Sequence, residues 1–351
     1  MLKRLLASIS LSALTLLIGC QSDPTGFQEN LFQQVSTENN SPSLTPYTLK
    51  GWKTHLDDVK TSGDLQKGCQ PFYKLAKGKT VGSVMLFHGF TACPQQYEEI
   101  AGLLSNNGYN VFVPLLPGHG KTPIRVQGKF TDESTKLPDV KSTDIYTNFS
   151  RTMGGLLKDE PGTKVAGGLS VGGVIAAKAI LENPDVYKRG FLMAPFFNAA
   201  GSVSLLLPAL GGLVPNKEHG WGEGCEKERS LGRAGYCNFK ITHVAAVRKF
   251  GLDTLKKINN IKIPIQIIGV EKDPAASNSA IAEANRSLAN GQGCFLAKGA
   301  NHSMLSRHDN VDTNMFWLSS LTQQISRFID TGKNFDIVGE SEYGMGLCRS
   351  R

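Results

Sequence analysis

Gly168-Leu169-Ser170-Val171-Gly172 sets a serine between two glycines. The apolar run Lys164-Val165-Ala166-Gly167 leads in, and the small-residue run Val174-Ile175-Ala176-Ala177-Lys178-Ala179-Ile180 leads out. That pattern predicts strand, sharp turn and helix, a geometry that lifts a serine hydroxyl out of the backbone and into a cleft. The flanking glycines keep side chains away from a strained turn. A serine hydroxyl is nearly all protonated at neutral pH, so it attacks a carbonyl only with a base within reach. The pentapeptide alone recurs in any glycine-rich chain; its partners decide what it means.

Those partners follow in order. Ile265-Gln266-Ile267-Ile268-Gly269-Val270 reads as a buried strand and runs into Glu271-Lys272-Asp273-Pro274. Cys294-Phe295-Leu296 reads as another short strand and runs towards Gly299-Ala300-Asn301-His302-Ser303. His302 offers an imidazole that takes the serine proton and returns it to a leaving group. A carboxylate on the preceding turn, Asp273 or its rival Glu271, would orient that imidazole and stabilise its charged form. The N–H of Val171, at the start of the expected helix, faces the anion-favouring end of the helix dipole.

Upstream, Ser83-Val84-Met85-Leu86-Phe87 ends in His88-Gly89-Phe90-Thr91, and further on stands Leu116-Pro117-Gly118-His119-Gly120. With the order serine, acid, histidine, these pieces resemble the α/β-hydrolases, in particular their monoacylglycerol lipase and bacterial carboxylesterase branch, from roughly Gly82 to Phe328. The resemblance implies Ser170 as nucleophile, His302 as base and then acid, and Asp273 rather than Glu271 as the orienting acid. It also implies the N–H of Phe90 as the partner of Val171 in an oxyanion hole. His88 and His119 precede glycines and read as braces of their loops. His55, His219, His243 and His308 form no usable constellation.

The elements that must position these groups alternate along the chain. After strand Ser83–Phe87, apolar spacing over Pro94 to Leu104 predicts a helix, and Asn110 to Pro114 the next strand. Asp144 to Leu157 reads as a helix before the nucleophile strand, and Arg189 to Met193 as the strand after it. Such alternation predicts an α/β fold with a mostly parallel central sheet flanked by helices. Regularity breaks from Phe196 to about Ile258, where the resemblance implies an inserted cap. Its Leu205, Leu206, Leu207, Leu210 and Leu213, with Phe196 and Phe197 near its root, fit an apolar acyl pocket or a second hydrophobic core.

The first 19 residues read as an export signal: Lys3 and Arg4, then an apolar stretch from Leu5 to Ile18 that is short for a membrane span. Leu17-Ile18-Gly19-Cys20 resembles a bacterial lipobox, which implies cleavage before Cys20 and a diacylglycerol on its sulfur. Gln21 after it implies outer-membrane sorting in a Gram-negative host. Residues 20–46, rich in Ser, Thr, Asn, Gln and Pro, read as a flexible tether. The hydrolase domain is expected over 47–351, with the cap at about 196–258.

The net charge of +8 is scattered, without a dense basic run or aromatic interleaving, which argues against nucleic-acid binding. A modest attraction to an anionic membrane surface suits it better. Besides Cys20 there are Cys69, Cys93, Cys225, Cys237, Cys294 and Cys348. An even set beyond an export signal predicts disulfides; the pairing favoured is Cys69–Cys93, Cys225–Cys237 and Cys294–Cys348. No phosphate loop, dinucleotide fingerprint or zinc spacing is present, so no cofactor and no metal are expected. The expected reaction is hydrolysis of carboxylic esters with medium or long acyl chains through an acyl-enzyme. Acyl transfer or peptide cleavage on the same triad, or a silent envelope-binding module, are the alternatives.

Overall fold

Strands with no polar face must be covered on both sides, and that requirement sets the architecture. The structure, a computed structural model, describes residues 43–122, 124–126, 129–131, 137–139, 141–201, 218–296, 300–310, 314–335 and 345–348. Cys20, the expected export signal, most of the tether and the cap leucines 205–207, 210 and 213 lie outside them.

Helix α1 (Pro46–Thr61) precedes β1 (Phe72–Lys74) and β2 (Gly82–Phe87). A 3₁₀ turn (Pro94–Tyr97) leads into α2 (Glu98–Asn106) and β3 (Tyr109–Val113). The antiparallel pair β4 (Ile124–Val126) and β5 (Lys129–Thr131) comes before α3 (Asp144–Gly155), β6 (Thr163–Leu169), α4 (Val171–Glu182) and β7 (Arg189–Met193). Then follow β8 (Glu218–Gly220), α5 (Glu223–Ser230), β9 (Asn238–Lys240) and α6 (Ile241–Leu255). Last come β10 (Ile265–Val270), α7 (Asn278–Ser287), β11 (Gly291–Leu296), α8 (Leu318–Thr331) and β12 (Met345–Cys348).

Among the described residues the main sheet has 8 strands in the order β1-β3-β2-β6-β7-β10-β11-β12. The β3, β2, β6, β7, β10 and β11 neighbours run parallel, and the edge strands β1 and β12 are antiparallel to theirs. This is the mostly parallel sheet the sequence predicts, with Arg189–Met193 and Ile265–Val270 as read there. The expected helix at Pro94 is divided instead. Its first turn is 3₁₀, and the α-helix starts at Glu98, where two acidic residues favour a helix N-terminus.

Alternate residues of each strand enter different cores, as a period of two demands. Met85, Phe87, Ala166, Leu192 and Ile267 join the core covered by α1, α3, α4, α6 and α7. Val84, Leu86, Val165, Leu169, Phe191 and Ile268 join the opposite core with α2 and α8. Helix α4 is apolar almost all round, its small residues buried from Val171 to Ala177, so it can lie flat under the sheet. Helix α1, not anticipated in the sequence, is bolted on by Trp52, whose ring meets the edges of Tyr73 and Phe112. No helix among the described residues is long and apolar enough to cross a membrane.

The strand order brings the carboxyl ends of β2, β6, β10 and β11 to one edge of the sheet, where crevices form in such folds. Each is followed by one of the stretches singled out above. The disulfides Cys69–Cys93 and Cys225–Cys237 form as expected. Cys294 is disulfide-bonded too and lies opposite Cys348 in the β11–β12 register. Cys225 and Cys237, 12 residues apart, tie α5 to the residue before β9. Replacing both by serine is expected to lower unfolding free energy by about 3 kcal/mol, measured by urea denaturation.

Candidate active site

Ser170 stands at the N-cap of α4 with φ 59° and ψ −120°, a backbone conformation unfavourable for any residue but glycine. Its N–H donates to Met193 O at 2.8 Å, and its carbonyl accepts from Phe196 N at 3.0 Å, which pins the turn to the end of β7. A serine at an N-cap ordinarily spends its hydroxyl on the helix. Here it makes no capping hydrogen bond, so Oγ is left for other chemistry.

The glycine two residues on is required by contact distance. A Cβ on Gly172 would sit 1.8 Å from Phe87 O and 2.6 Å from His88 O. The helix start is therefore pressed against the end of β2. That approach brings the loop after β2 to Ser170: a Cβ on Gly89 would lie 3.7 Å from Ser170 Cβ.

In that loop the N–H groups on both sides of Phe90 are used. Gly89 N donates to Gln96 Oε1 at 2.9 Å and Thr91 N to His119 Nε2 at 3.1 Å. The Phe90 N–H between them has no hydrogen-bond partner among the described residues. Val171, first residue of α4, likewise has no carbonyl one turn back to receive its N–H. Among the described residues the N–H groups of Phe90 and Val171 are thus both unspent.

His88 and His119 hold this loop rather than react. His88 Nε2 accepts from Leu116 N at 3.0 Å, so its Nδ1 carries the proton and donates to Gly89 O at 3.0 Å. His119 accepts from Thr91 and donates to Pro117 O at 3.0 Å in the same way. Burial keeps both neutral: His88 is held well below the usual histidine range, and His119 is lowered to about 4.

After β10 the chain turns through Lys272, at φ 59°, and buries Asp273. Oδ1 accepts from Ala275 N at 2.8 Å and Ala276 N at 2.9 Å, and Oδ2 accepts from His302 Nδ1 at 2.8 Å. Both oxygens are fixed, and the imidazole keeps Nε2 as its unprotonated nitrogen. Glu271 is exposed and makes no hydrogen bond or ion pair with His302 among the described residues. Asn310 steadies the histidine loop through its Nδ2, which donates to Ser303 O at 2.6 Å and Ser306 O at 2.8 Å. No hydrogen bond joins Ser170 Oγ to His302 among the described residues; such bonds often close only around bound substrate.

Beside the loop stands an aromatic cluster. Phe239 packs 5.4 Å from Phe90 and 4.9 Å from Trp221, ring centre to ring centre. Trp221 Nε1 donates to Thr91 Oγ1 at 2.8 Å. Sequence reasoning passed over Gln96, Asp309 and Arg233, which are buried and hydrogen-bonded in series behind the loop. Their spacing of more than 200 residues, from Gln96 to Asp309, left no signal to read. Among the described residues no group of three or more His, Cys, Asp or Glu could hold a metal ion.

A family model described as serine aminopeptidase, S33, matches residues 78–309. A thermostable monoacylglycerol lipase from Bacillus sp. (strain H-257) is 31% identical over 121 residues, 34% of this chain and 42% of that protein. The chain thus spans about two fifths of the length of that curated relative. Among solved structures, one reported for two metagenome-derived lipolytic enzymes aligns with a TM-score of 0.57 at 18% identity, over 76% of this chain and 99% of that one. A soluble variant of monoglyceride lipase from Saccharomyces cerevisiae, in complex with a substrate analogue, aligns at 0.55 and 17%, over 74% and 90%. At these identities the two structures show a shared α/β-hydrolase fold.

Two outcomes follow from the geometry. Gly172→Ala, forced onto Phe87 O, is expected to lower stability by about 3 kcal/mol or prevent folding, read by thermal denaturation. The buried histidines make stability pH-dependent. His55, His119 and His243 are each lowered by burial from 6.5 to about 4. The unfolded chain therefore takes up protons first as pH falls. The contribution is full above pH 6.5 and is lost as pH falls towards about 4. Urea midpoints measured across that window should fall steadily with acidification.

Proposed function

The chain belongs to the S33 family of serine α/β-hydrolases, and from that premise we propose that it hydrolyses carboxylic esters with medium or long acyl chains through an acyl-enzyme. The observation that carries the reading is the unspent N–H of Phe90 next to Ser170, between two neighbours whose N–H groups are both used.

In this mechanism His302 Nε2 takes the proton of Ser170 Oγ as the oxygen bonds to the ester carbon. Asp273 holds the imidazole in its reactive tautomer and stabilises the imidazolium. The carbonyl oxygen becomes an oxyanion and receives the N–H groups of Phe90 and Val171, each such donor contributing about 3 kcal/mol at the transition state. Collapse breaks the bond to the alcohol, which leaves with the proton from His302. Water then attacks the acyl-enzyme by the same route reversed, releasing the acid and restoring Ser170.

An acyl chain is favoured by the apolar aromatic cluster of Phe90, Phe239 and Trp221 beside the oxyanion loop, of which the Trp221 ring is exposed to meet it. The lipolytic names of the relatives point the same way. Amide cleavage on the same triad is the second reading, favoured by the family's description as a serine aminopeptidase. We propose further that Cys20 is lipidated and tethers the enzyme to a bacterial envelope membrane, outer if the host is Gram-negative. There it would meet acyl lipids.

A fluorophosphonate probe is expected to label the unlipidated protein at Ser170 and to leave Ser170→Ala unlabelled. The same substitution should lower kcat by about 10⁴-fold or more, with the fold retained by circular dichroism. Turnover of p-nitrophenyl esters should rise from acetate to decanoate and exceed that of aminoacyl p-nitroanilides. A folded wild type that takes no probe, or that prefers the anilides, overturns the ester reading.

A further inference from the structure

Behind the loop that carries Phe90, three buried polar side chains run in series. Gln96 Oε1 accepts from Gly89 N at 2.9 Å, and Gln96 Nε2 donates to Asp309 Oδ2 at 2.8 Å. The other oxygen of Asp309 accepts from Arg233 Nε at 2.9 Å. Gln96, Asp309 and Arg233 are 6%, 7% and 9% exposed, so water does not substitute for these bonds. Burying an ion pair is expensive, and apolar residues of similar volume often stabilise a core as well. What the polar series supplies instead is direction. An amide has two ends that differ only in which atom donates. A carboxylate accepts only, so Asp309 forces Gln96 to turn Nε2 towards it and Oε1 towards Gly89.

That direction matters because Gly89 shares a peptide plane with Phe90. Gly89 O is held by Ala92 N at 3.2 Å and by His88 Nδ1 at 3.0 Å. The Phe90 N–H must point opposite to that carbonyl in a trans peptide. Gly89 O is held by His88 and Ala92 within that plane, and Gln96 holds Gly89 N in the plane before it, so both peptides that meet at Gly89 are fixed.

The far end of the series belongs to another part of the chain. Arg233 lies between Cys225 and Cys237, and its Nη1 donates to Cys225 Sγ at 3.1 Å. The same segment is laced to the loop beside it. Ala234 N donates to Gln95 Oε1 at 2.8 Å, and Tyr236 N donates to Thr91 O at 2.7 Å. Asp309 in turn precedes Asn310, which holds the loop of His302. One carboxylate therefore joins the oxyanion loop, the histidine loop and the disulfide-closed segment 225–237.

We propose that Gln96, Asp309 and Arg233 are positioning residues that aim the Phe90 N–H, and that they make transition-state stabilisation depend on how segment 225–237 is docked. The proposal rests on the hydrolase reading above for its kinetic consequence, and on geometry alone for the coupling.

The test uses the full mature chain. Gln96→Glu sets two carboxylates against each other and is expected to lower kcat by about 10- to 100-fold, with KM within about twofold, because an oxyanion donor acts mainly in the transition state. Affinity for an alkyl boronic acid, which forms a tetrahedral adduct with an active serine, should fall in parallel. The exchange Gln96→Glu with Asp309→Asn restores one donor facing one acceptor, and should recover most of kcat. A merely structural role would be seen in the melting temperature and not in this split or rescue. Arg233→Met should speed amide hydrogen exchange across residues 88–97; if it does not fold, Arg233→Lys, which keeps the charge and loses the fork, takes its place. A folded Gln96→Glu with kcat within twofold of wild type, or unchanged exchange in the Arg233 variant, overturns the proposal. A wild type without esterase activity overturns the hydrolase reading instead, and the exchange experiment still decides the coupling.

Discussion

The contact between Gly172 and the end of β2 is the constraint on which the site depends. With 1.8 Å between a hypothetical Cβ and Phe87 O, the start of α4 can close on the sheet only where no side chain exists. That closeness places an N–H at the first turn of a helix near the N–H of a loop from another strand. Ser170, two residues before Gly172, stands at φ 59°. The strain is offset by hydrogen bonds that Ser170 makes through both backbone groups to the end of β7 and beyond. Backbone energy is thus used to free a hydroxyl that a relaxed N-cap would have engaged.

Around this turn, histidines serve two opposed ends. His88 and His119 are fully buried, each with one ring nitrogen donating and the other accepting. Charging either would strand a cation away from water and break an acceptor, so they act as neutral spacers that shape the oxyanion loop. His302 differs in surroundings rather than in kind. It is partly exposed, with 18% of its side-chain surface open, and one nitrogen faces a carboxylate fixed by two further N–H groups.

The disulfides staple the segments on either side of the loop that carries Phe90. Cys69–Cys93 ties the approach to β1 to the residue before Pro94, and Cys225–Cys237 closes the segment laid over that loop. Both stand at the ends of the buried polar series, so the pieces that converge on Asp309 are restrained by covalent bonds as well as by packing. Such staples reduce the freedom of the unfolded chain, and here they also limit the paths by which the loop around Phe90 could relax.

Period and punctuation made much of this legible along the chain. Apolar runs such as Ile265–Val270 need burial on both faces, which implied a covered parallel sheet, and Gly168 and Gly172 marked a turn where Cβ atoms do not fit. These are local requirements, carried by neighbours in sequence. Which carboxylate meets His302 was not local: Glu271 and Asp273 stand on one turn, and only the bend at Lys272 buries the second and exposes the first. Helix α1 was hidden because its hold on the sheet comes from Trp52 against strands far along the chain. The series from Gln96 through Asp309 to Arg233 was hidden for the same reason. A hydrogen bond between residues more than 200 apart leaves no periodic trace, because only the closed fold brings its donor and acceptor together.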